Sequence, residues 1–146
     1  MIYKIQLGES KETVDFSVVN KQINDNMPVI LDFSATWCRP CKRIFPSLQN
    51  LANAYPNINF YKVDIGEKDE HDLGEKYKIS ALPTILFLNS GTGEIREEGI
   101  KGDAKNIIDS FVNYLSLLEN DENDPETKDL KRVELSLHVK SIMNYK

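Results

Sequence analysis

The fold is decided by one stretch, residues 29–42, whose sequence is VILDFSATWCRPCK. Its first five residues are apolar apart from Asp32, a composition typical of a strand that is buried on both faces of a sheet. A short loop follows, and the pattern of apolar residues after it predicts a helix that begins at or near Cys38. The stretch therefore places two cysteines, Cys38 and Cys41, in the first turn of a helix that follows a central strand.

Strand and helix patterns alternate on both sides of this stretch. Strands that are joined through helices are expected to run parallel, and the last two strands, joined by a Gly-rich turn, are expected to be antiparallel. The sequence therefore predicts an α/β fold with a mixed sheet and helices on both faces. The predicted strands cover residues 2–7, 29–33, 60–65, 84–88 and 94–98, and the predicted helices lie within residues 16–27, 38–55, 73–77 and 104–118.

The C-terminal part of the chain differs from the rest. Residues 119–124 hold four acids and no base and are followed by Pro125, so we predict a main domain over 1–118 and an extension over 119–146. Residues 133–140 alternate apolar and polar side chains at every position, which favours an extra strand on a sheet edge of this chain or of another copy. A helical pattern fits less well, and a tail without regular structure is the alternative.

Composition and charge exclude several classes of protein. The 146 residues suit one domain, and 40% of them are apolar, enough for a core. No apolar run approaches the roughly 18 residues of a membrane span, and no signal peptide is visible, so we expect a cytoplasmic protein. The net charge of −5 argues against a general affinity for nucleic acid or anionic membranes.

The two cysteines are the candidate reactive groups. A disulfide-stapled scaffold needs more cysteines, and a four-ligand zinc site would need both histidines of the chain, so we expect no metal. The first turn of a helix offers free N–H groups and the positive end of the dipole, which should lower the pKa of Cys38. Cys38 is then the predicted nucleophile and Cys41 the resolving thiol. Two buried apolar residues or half a metal site are the alternatives, but Trp37 before the pair and Pro40 within it favour dithiol–disulfide exchange.

These residues resemble a known family. Residues 32–42 are similar to the active-site segment of the thioredoxins, in which a glycine is usual at the position of Arg39. The resemblance covers about residues 1–118, and the chain from Glu119 onwards has no counterpart in a minimal thioredoxin. Further positions that agree with the family are Pro46, Lys62, Asp64, the segment Ala81-Leu82-Pro83-Thr84, and Gly102.

The resemblance implies a thioredoxin fold and a role for Asp32. This residue should be a buried carboxylate near Cys41 that accepts and donates a proton through water while Cys41 reacts. An acid within an apolar strand is costly unless it has a partner or a task, which agrees with that role. An ion pair between Asp32 and Lys62 is the alternative explanation of the buried acid, and both can hold at once.

The resemblance also implies a substrate-binding surface. Pro83 should follow a cis peptide bond and pack beside the cysteines, and the backbone of Leu82 should pair with substrate as an added strand. Trp37 should cover the site, although a surface aromatic without function is the alternative. The residues expected to contact substrate are Trp37, Arg39, Pro40, Leu82, Pro83 and Gly102.

The resemblance implies a protein-disulfide reductase that acts on client proteins, contributes to redox homeostasis and is kept reduced by a thioredoxin reductase. It implies no metal or organic cofactor. Arg39 and Arg43 make the rim of the site basic, which favours the thiolate and predicts a higher reduction potential than that of the glycine form. Two alternatives stay open: a disulfide isomerase or oxidase tuned by Arg39, and a protein-binding module that recognises its partner in one redox state.

Overall fold

The computed structural model describes residues 1–8, 12–66, 71–100, 104–118 and 125–144. Within these ranges the chain forms six strands and five helices. The strands are β1 (Ile2–Lys4), β2 (Glu12–Val14), β3 (Val29–Ser34), β4 (Asn59–Asp64), β5 (Thr84–Leu88) and β6 (Ile95–Ile100). The helices are α1 (Phe16–Asn24), α2 (Arg39–Ala54), α3 (His71–Lys76), α4 (Ala104–Leu118) and α5 (Pro125–Ile142).

The strands form one mixed sheet, which confirms the predicted α/β class. Their order across the sheet is β2-β1-β4-β3-β5-β6. The pair β3–β4 is parallel and the other neighbouring pairs are antiparallel. β3 ends beside the end of β4, and β5 starts at that same edge, where Phe33 pairs with Thr84. This edge of the sheet carries the cysteine site.

The expectation that all strands joined through helices run parallel was wrong, for two reasons. The sequence did not predict β2, which pairs with β1 and reverses the chain, so that α1 joins β2 to β3 rather than β1 to β3. The second reason is the length of α3. Its six residues span about 9 Å, less than the roughly 20 Å of β4, so α3 does not return the chain to the other end of the sheet.

Alternation along the strands gives the sheet two buried faces. On β3, Val29, Leu31 and Phe33 lie in one apolar cluster together with residues of α1. Ile30 lies in the other cluster, on the face that is covered by α2, α4 and α5. Since side chains of a strand alternate between faces, Asp32 shares this second face with Ile30. The buried acid therefore lies on the side of the sheet that α2 covers.

The predicted C-terminal strand is wrong, because residues 125–142 form α5. An alternating pattern wound on a helix puts apolar side chains on two opposite faces. One of these faces, with Leu135 and Val139, packs into the same core cluster as α2 and α4. The Ser47 hydroxyl of α2 also donates a hydrogen bond of 3.0 Å to the Met143 carbonyl oxygen just after α5. The opposite face, with Leu130, Val133 and Leu137, is exposed. Packing of the first face against α2 and α4 therefore favours a helix over a strand for these residues.

Two matched substitutions test the packing of α5. Val139 is 0% exposed and Val133 is 59% exposed on the same helix. Val139→Ala removes two buried carbons and leaves a small cavity, so we expect it to lower the free energy of unfolding by about 1.5–3 kcal/mol. Val133→Ala should change it by less than about 0.5 kcal/mol. Urea denaturation of both variants measures the difference, and equal effects would contradict the packing of α5 on the domain.

Candidate active site

The two cysteines form a disulfide at the start of α2. Cys38 is the N-cap residue of this helix, and the backbone N–H of Cys41 donates a hydrogen bond of 3.2 Å to the Cys38 sulfur. Pro40 lies in the first turn, as predicted, where a missing N–H costs no intrahelical bond. The exposed fractions of Cys38 and Cys41 are 5% and 2%, so both cysteines are buried in the oxidised protein.

A groove runs beside the disulfide. Trp37 lines this groove and is 73% exposed, so most of its side chain faces solvent. Leu82 also lines the groove and packs against the cluster that contains Cys38 and Cys41. The groove joins three segments that are distant in sequence and meet at one edge of the sheet. Its lining residues are Trp37, Cys38, Arg39, Pro40, Ile65, Ile79, Ser80, Ala81 and Leu82.

The segment before β5 has the predicted backbone form. The peptide bond between Leu82 and Pro83 is cis, which confirms the prediction. Pro83 is buried, and the Thr84 hydroxyl donates a hydrogen bond of 2.7 Å to the Ala81 carbonyl oxygen across this bend. Within the described part of the chain, the backbone N–H and C=O of Leu82 make no hydrogen bond. They are therefore free to bond an added segment. Gly102, the other residue expected at this surface, lies outside the described residues.

Asp32 is buried without a hydrogen-bond partner. Its exposed fraction is 1%, and neither carboxyl oxygen has a partner among the described residues. Burial in this apolar environment raises the pKa of Asp32 to about 7, while the positive charge of Lys62 acts in the opposite direction. A carboxyl group with a pKa near 7 can both accept and donate a proton at neutral pH.

Lys62 is the register partner of Asp32 on the neighbouring parallel strand. A direct ion pair, the alternative explanation of the buried acid, is not formed, since the Asp32 oxygens have no hydrogen-bond partner among the described residues. The Lys62 ammonium instead lies over the ring of Phe45 on α2, 5.0 Å from the ring centroid. Phe45 was not predicted to belong to the site.

The rim of the site is basic. Arg39, Lys42 and Arg43 are exposed on the first turns of α2, and residues 39–54 contain no acid. Elsewhere in the described ranges, no group of three His, Cys, Asp or Glu side chains could hold a metal ion. No helix in these ranges is both long and apolar enough to cross a bilayer.

Three groove residues were missed by the sequence analysis, namely Ile65, Ile79 and Ser80. Ile65 follows β4 and donates its N–H to the Ser34 carbonyl oxygen at 3.0 Å, so it lies at the edge where the parallel strands β3 and β4 end. The rule that parallel strands end at one edge could have identified it. Ile79 and Ser80 lie in the segment between α3 and β5, and no pattern in the sequence points to them.

A disulfide at the N-terminus of a helix, next to a residue with unpaired backbone groups that precedes a cis-proline, is typical of a thiol–disulfide oxidoreductase. The thioredoxin family model matches residues 10–113. The chain belongs to the thioredoxin family, and it is a protein-disulfide reductase of the thioredoxin type.

Comparisons with individual proteins agree with this assignment. The chain is 43% identical to "Thioredoxin" of Geodia cydonium over 81 residues, which are 56% of this chain and 74% of that protein. It is 43% identical to "Thioredoxin-1" of Saccharomyces cerevisiae over 63 residues, 43% of this chain and 59% of that protein. The crystal structure of thioredoxin O2 from Arabidopsis thaliana in its oxidized state superposes with a TM-score of 0.58 at 30% identity, over 68% of this chain and 87% of that one.

Proposed function

We propose that Cys38 is the nucleophile and Cys41 the resolving thiol in the reduction of client protein disulfides. The observation that carries this proposal is the hydrogen bond from the Cys41 N–H to the Cys38 sulfur at the N-terminus of α2. In the reduced protein the same N–H, aided by the helix dipole, stabilises a Cys38 thiolate. That thiolate attacks one sulfur of the client disulfide, forms a mixed disulfide and releases the first client thiol.

The second step needs a deprotonated Cys41. Asp32, buried beneath α2 with its oxygens unpartnered, accepts the Cys41 proton through water in this proposal. The Cys41 thiolate attacks the Cys38 sulfur, the bond to the client breaks, and the client leaves with two electrons and two protons gained. The products are a reduced client and the Cys38–Cys41 disulfide, the form that the structure contains.

The client binds in the groove. Its extended backbone pairs with the free N–H and C=O groups of Leu82 as an added strand. Trp37, Arg39 and Pro40 contact the client from the side of the disulfide, and Pro83 holds the Leu82 segment beside the cysteines. We assign Gly102 to the same surface on the family resemblance alone.

We assign the catalytic unit to residues 1–118 and regard residues 119–146 as an extension of it. We assign the electron donor to a thioredoxin reductase, as the family resemblance implies, because each cycle consumes the two electrons of the Cys38–Cys41 dithiol. We assign the protein to the cytoplasm, where a low glutathione potential keeps such a dithiol reduced and able to contribute to redox homeostasis and electron transport.

The reduction potential of the Cys38–Cys41 couple tests this function. Trp37 is the only tryptophan and lies beside the disulfide, so its fluorescence can follow equilibration with glutathione or dithiothreitol buffers. A potential near about −270 mV supports a reductase. A potential at or above about −200 mV would contradict it and favour the isomerase or oxidase alternative.

Replacement of Arg39 measures how much its charge contributes to the reduction potential of the Cys38–Cys41 couple. We expect Arg39→Gln to make the potential more negative by about 5–20 mV, because an exposed charge contributes less than about 1 kcal/mol to thiolate stability. Lys21→Gln, which removes an exposed charge from α1, should leave the potential unchanged. The difference for Arg39→Gln should shrink in 1 M salt, and a salt-independent shift would contradict an electrostatic cause.

A further inference from the structure

Phe45, Lys62 and Asp32 lie on one face of the sheet. Lys62 and Asp32 are register partners on β4 and β3, so their side chains leave the sheet on the same side. Phe45 lies on α2, the helix that covers this face, and packs against its apolar cluster. A cation, an aromatic ring and a buried acid therefore meet beneath the helix that carries both cysteines.

The Lys62 ammonium has two attractive neighbours and contacts only one of them. It lies 5.0 Å from the centroid of the Phe45 ring, within the range of about 6 Å for a cation–π interaction. The Asp32 oxygens, by contrast, are buried without a hydrogen-bond partner in the described ranges. A direct contact with the fully buried Asp32 carboxylate would require the Lys62 ammonium to lose most of its hydration. Over the half-buried Phe45 ring, the ammonium keeps part of that hydration.

We propose that Phe45 is a positioning residue whose ring holds the Lys62 ammonium away from Asp32 and keeps the carboxyl group unpaired for proton transfer. The importance of that proton transfer rests on the proposed function; the effect of Phe45 on the position of Lys62 does not. A carboxylate in a direct ion pair with a lysine is a weak base, whereas an unpaired buried carboxylate is a stronger one. The ring thus preserves the basicity that the reaction of Cys41 requires.

The surroundings of Asp32 allow this effect to be isolated. On β4 its neighbour is Lys62, and on β5 its register partner is the apolar Ile85. Its neighbours along β3 are Leu31 and Phe33. On α2 the two cysteines are joined in a disulfide and do not titrate in the oxidised protein. Lys62 is therefore the charged side chain whose field acts on Asp32.

The test is an NMR titration of the Asp32 carboxyl carbon in the oxidised protein, which requires no turnover. We expect Phe45→Leu, which removes the ring and keeps an apolar side chain, to lower the Asp32 pKa by about one, because Lys62 then approaches the carboxylate. Phe45→Tyr retains the ring face and should leave the pKa within about 0.3 of the wild-type value. An unchanged or raised pKa in Phe45→Leu would overturn the proposal.

A Lys62→Met background shows whether Phe45 acts through Lys62. There the effect of Phe45→Leu on the Asp32 pKa should vanish, since no ammonium is left to move. A shift of the same size in both backgrounds would mean that Phe45 acts by packing alone and would overturn the proposal. Phe45→Met serves as a second ring-free variant if Phe45→Leu does not fold. If the wild-type protein shows no reductase activity, the proposed function is contradicted, but the result of this titration still holds.

Discussion

Cys38→Ser abolishes disulfide reduction, with an expected loss of at least about 10⁴-fold in kcat/KM for a disulfide-linked peptide. The serine hydroxyl in the same N-cap position can accept the Cys41 N–H bond, so α2 keeps its cap while the nucleophile is lost. The remaining thiol of Cys41 is only 2% exposed, and attack on a client disulfide needs access. Stopped-flow measurement of peptide reduction by the pre-reduced variant provides the rate.

Cys41→Ser is the matched variant, and we expect it to stop the reaction after the first step, whereas Cys38→Ser prevents that step. Cys38 can still attack, but no thiol resolves the mixed disulfide, so turnover stops and a covalent complex with the client accumulates. Non-reducing electrophoresis detects that complex. A Cys41→Ser protein that still turns over would contradict the assigned roles. A protein that binds a partner without forming the covalent bond would support a redox-dependent binding module.

Asp32→Asn raises the stability of the protein at neutral and alkaline pH. In the unfolded chain the carboxyl has its ordinary pKa of 3.8, whereas burial raises the folded value to about 7. Well below pH 3.8 the group is protonated in both states, so its ionisation makes no contribution to stability. As the pH rises to 7, the unfolded chain ionises first and stability falls; above pH 7 the folded protein carries the full cost, on the order of 4 kcal/mol. Asparagine never ionises and avoids that cost.

Urea denaturation at pH 4 and pH 8 measures the effect. Wild type and Asp32→Asn should differ little at pH 4 and strongly at pH 8. Asp64→Asn is the control, because Asp64 is also buried but accepts a hydrogen bond of 3.0 Å from the Gly66 N–H, so its substitution should not stabilise the fold. The same Asp32→Asn protein should resolve mixed disulfides more slowly near pH 7. A stability gain that is equal at both pH values would contradict the raised pKa.

Much of the fold could be predicted because the relevant patterns are local. The apolar run of β3, the helix after it and the hairpin of β5 and β6 each depend on neighbouring residues. β2 could not be predicted, since its three residues are mostly exposed and too few to show an alternation. Residues 133–140 do alternate apolar and polar side chains, but they form part of a helix. The local pattern could not show that only Leu135 and Val139 among its apolar residues would pack against the rest of the domain.

By itself the sequence determined the redox chemistry, because its parts lie within a few residues of one another. Cys38, Cys41 and the N-terminus of α2 are brought together by one helical turn, and a strand before that turn is enough to place them. Only the tertiary structure decided the groove, the helical form of α5 and the environment of Asp32. The contact between Lys62 on β4 and Phe45 on α2 joins two residues that are 17 positions apart in the sequence. Burial favours any apolar contact, so which distant side chains meet depends on how all the elements pack together.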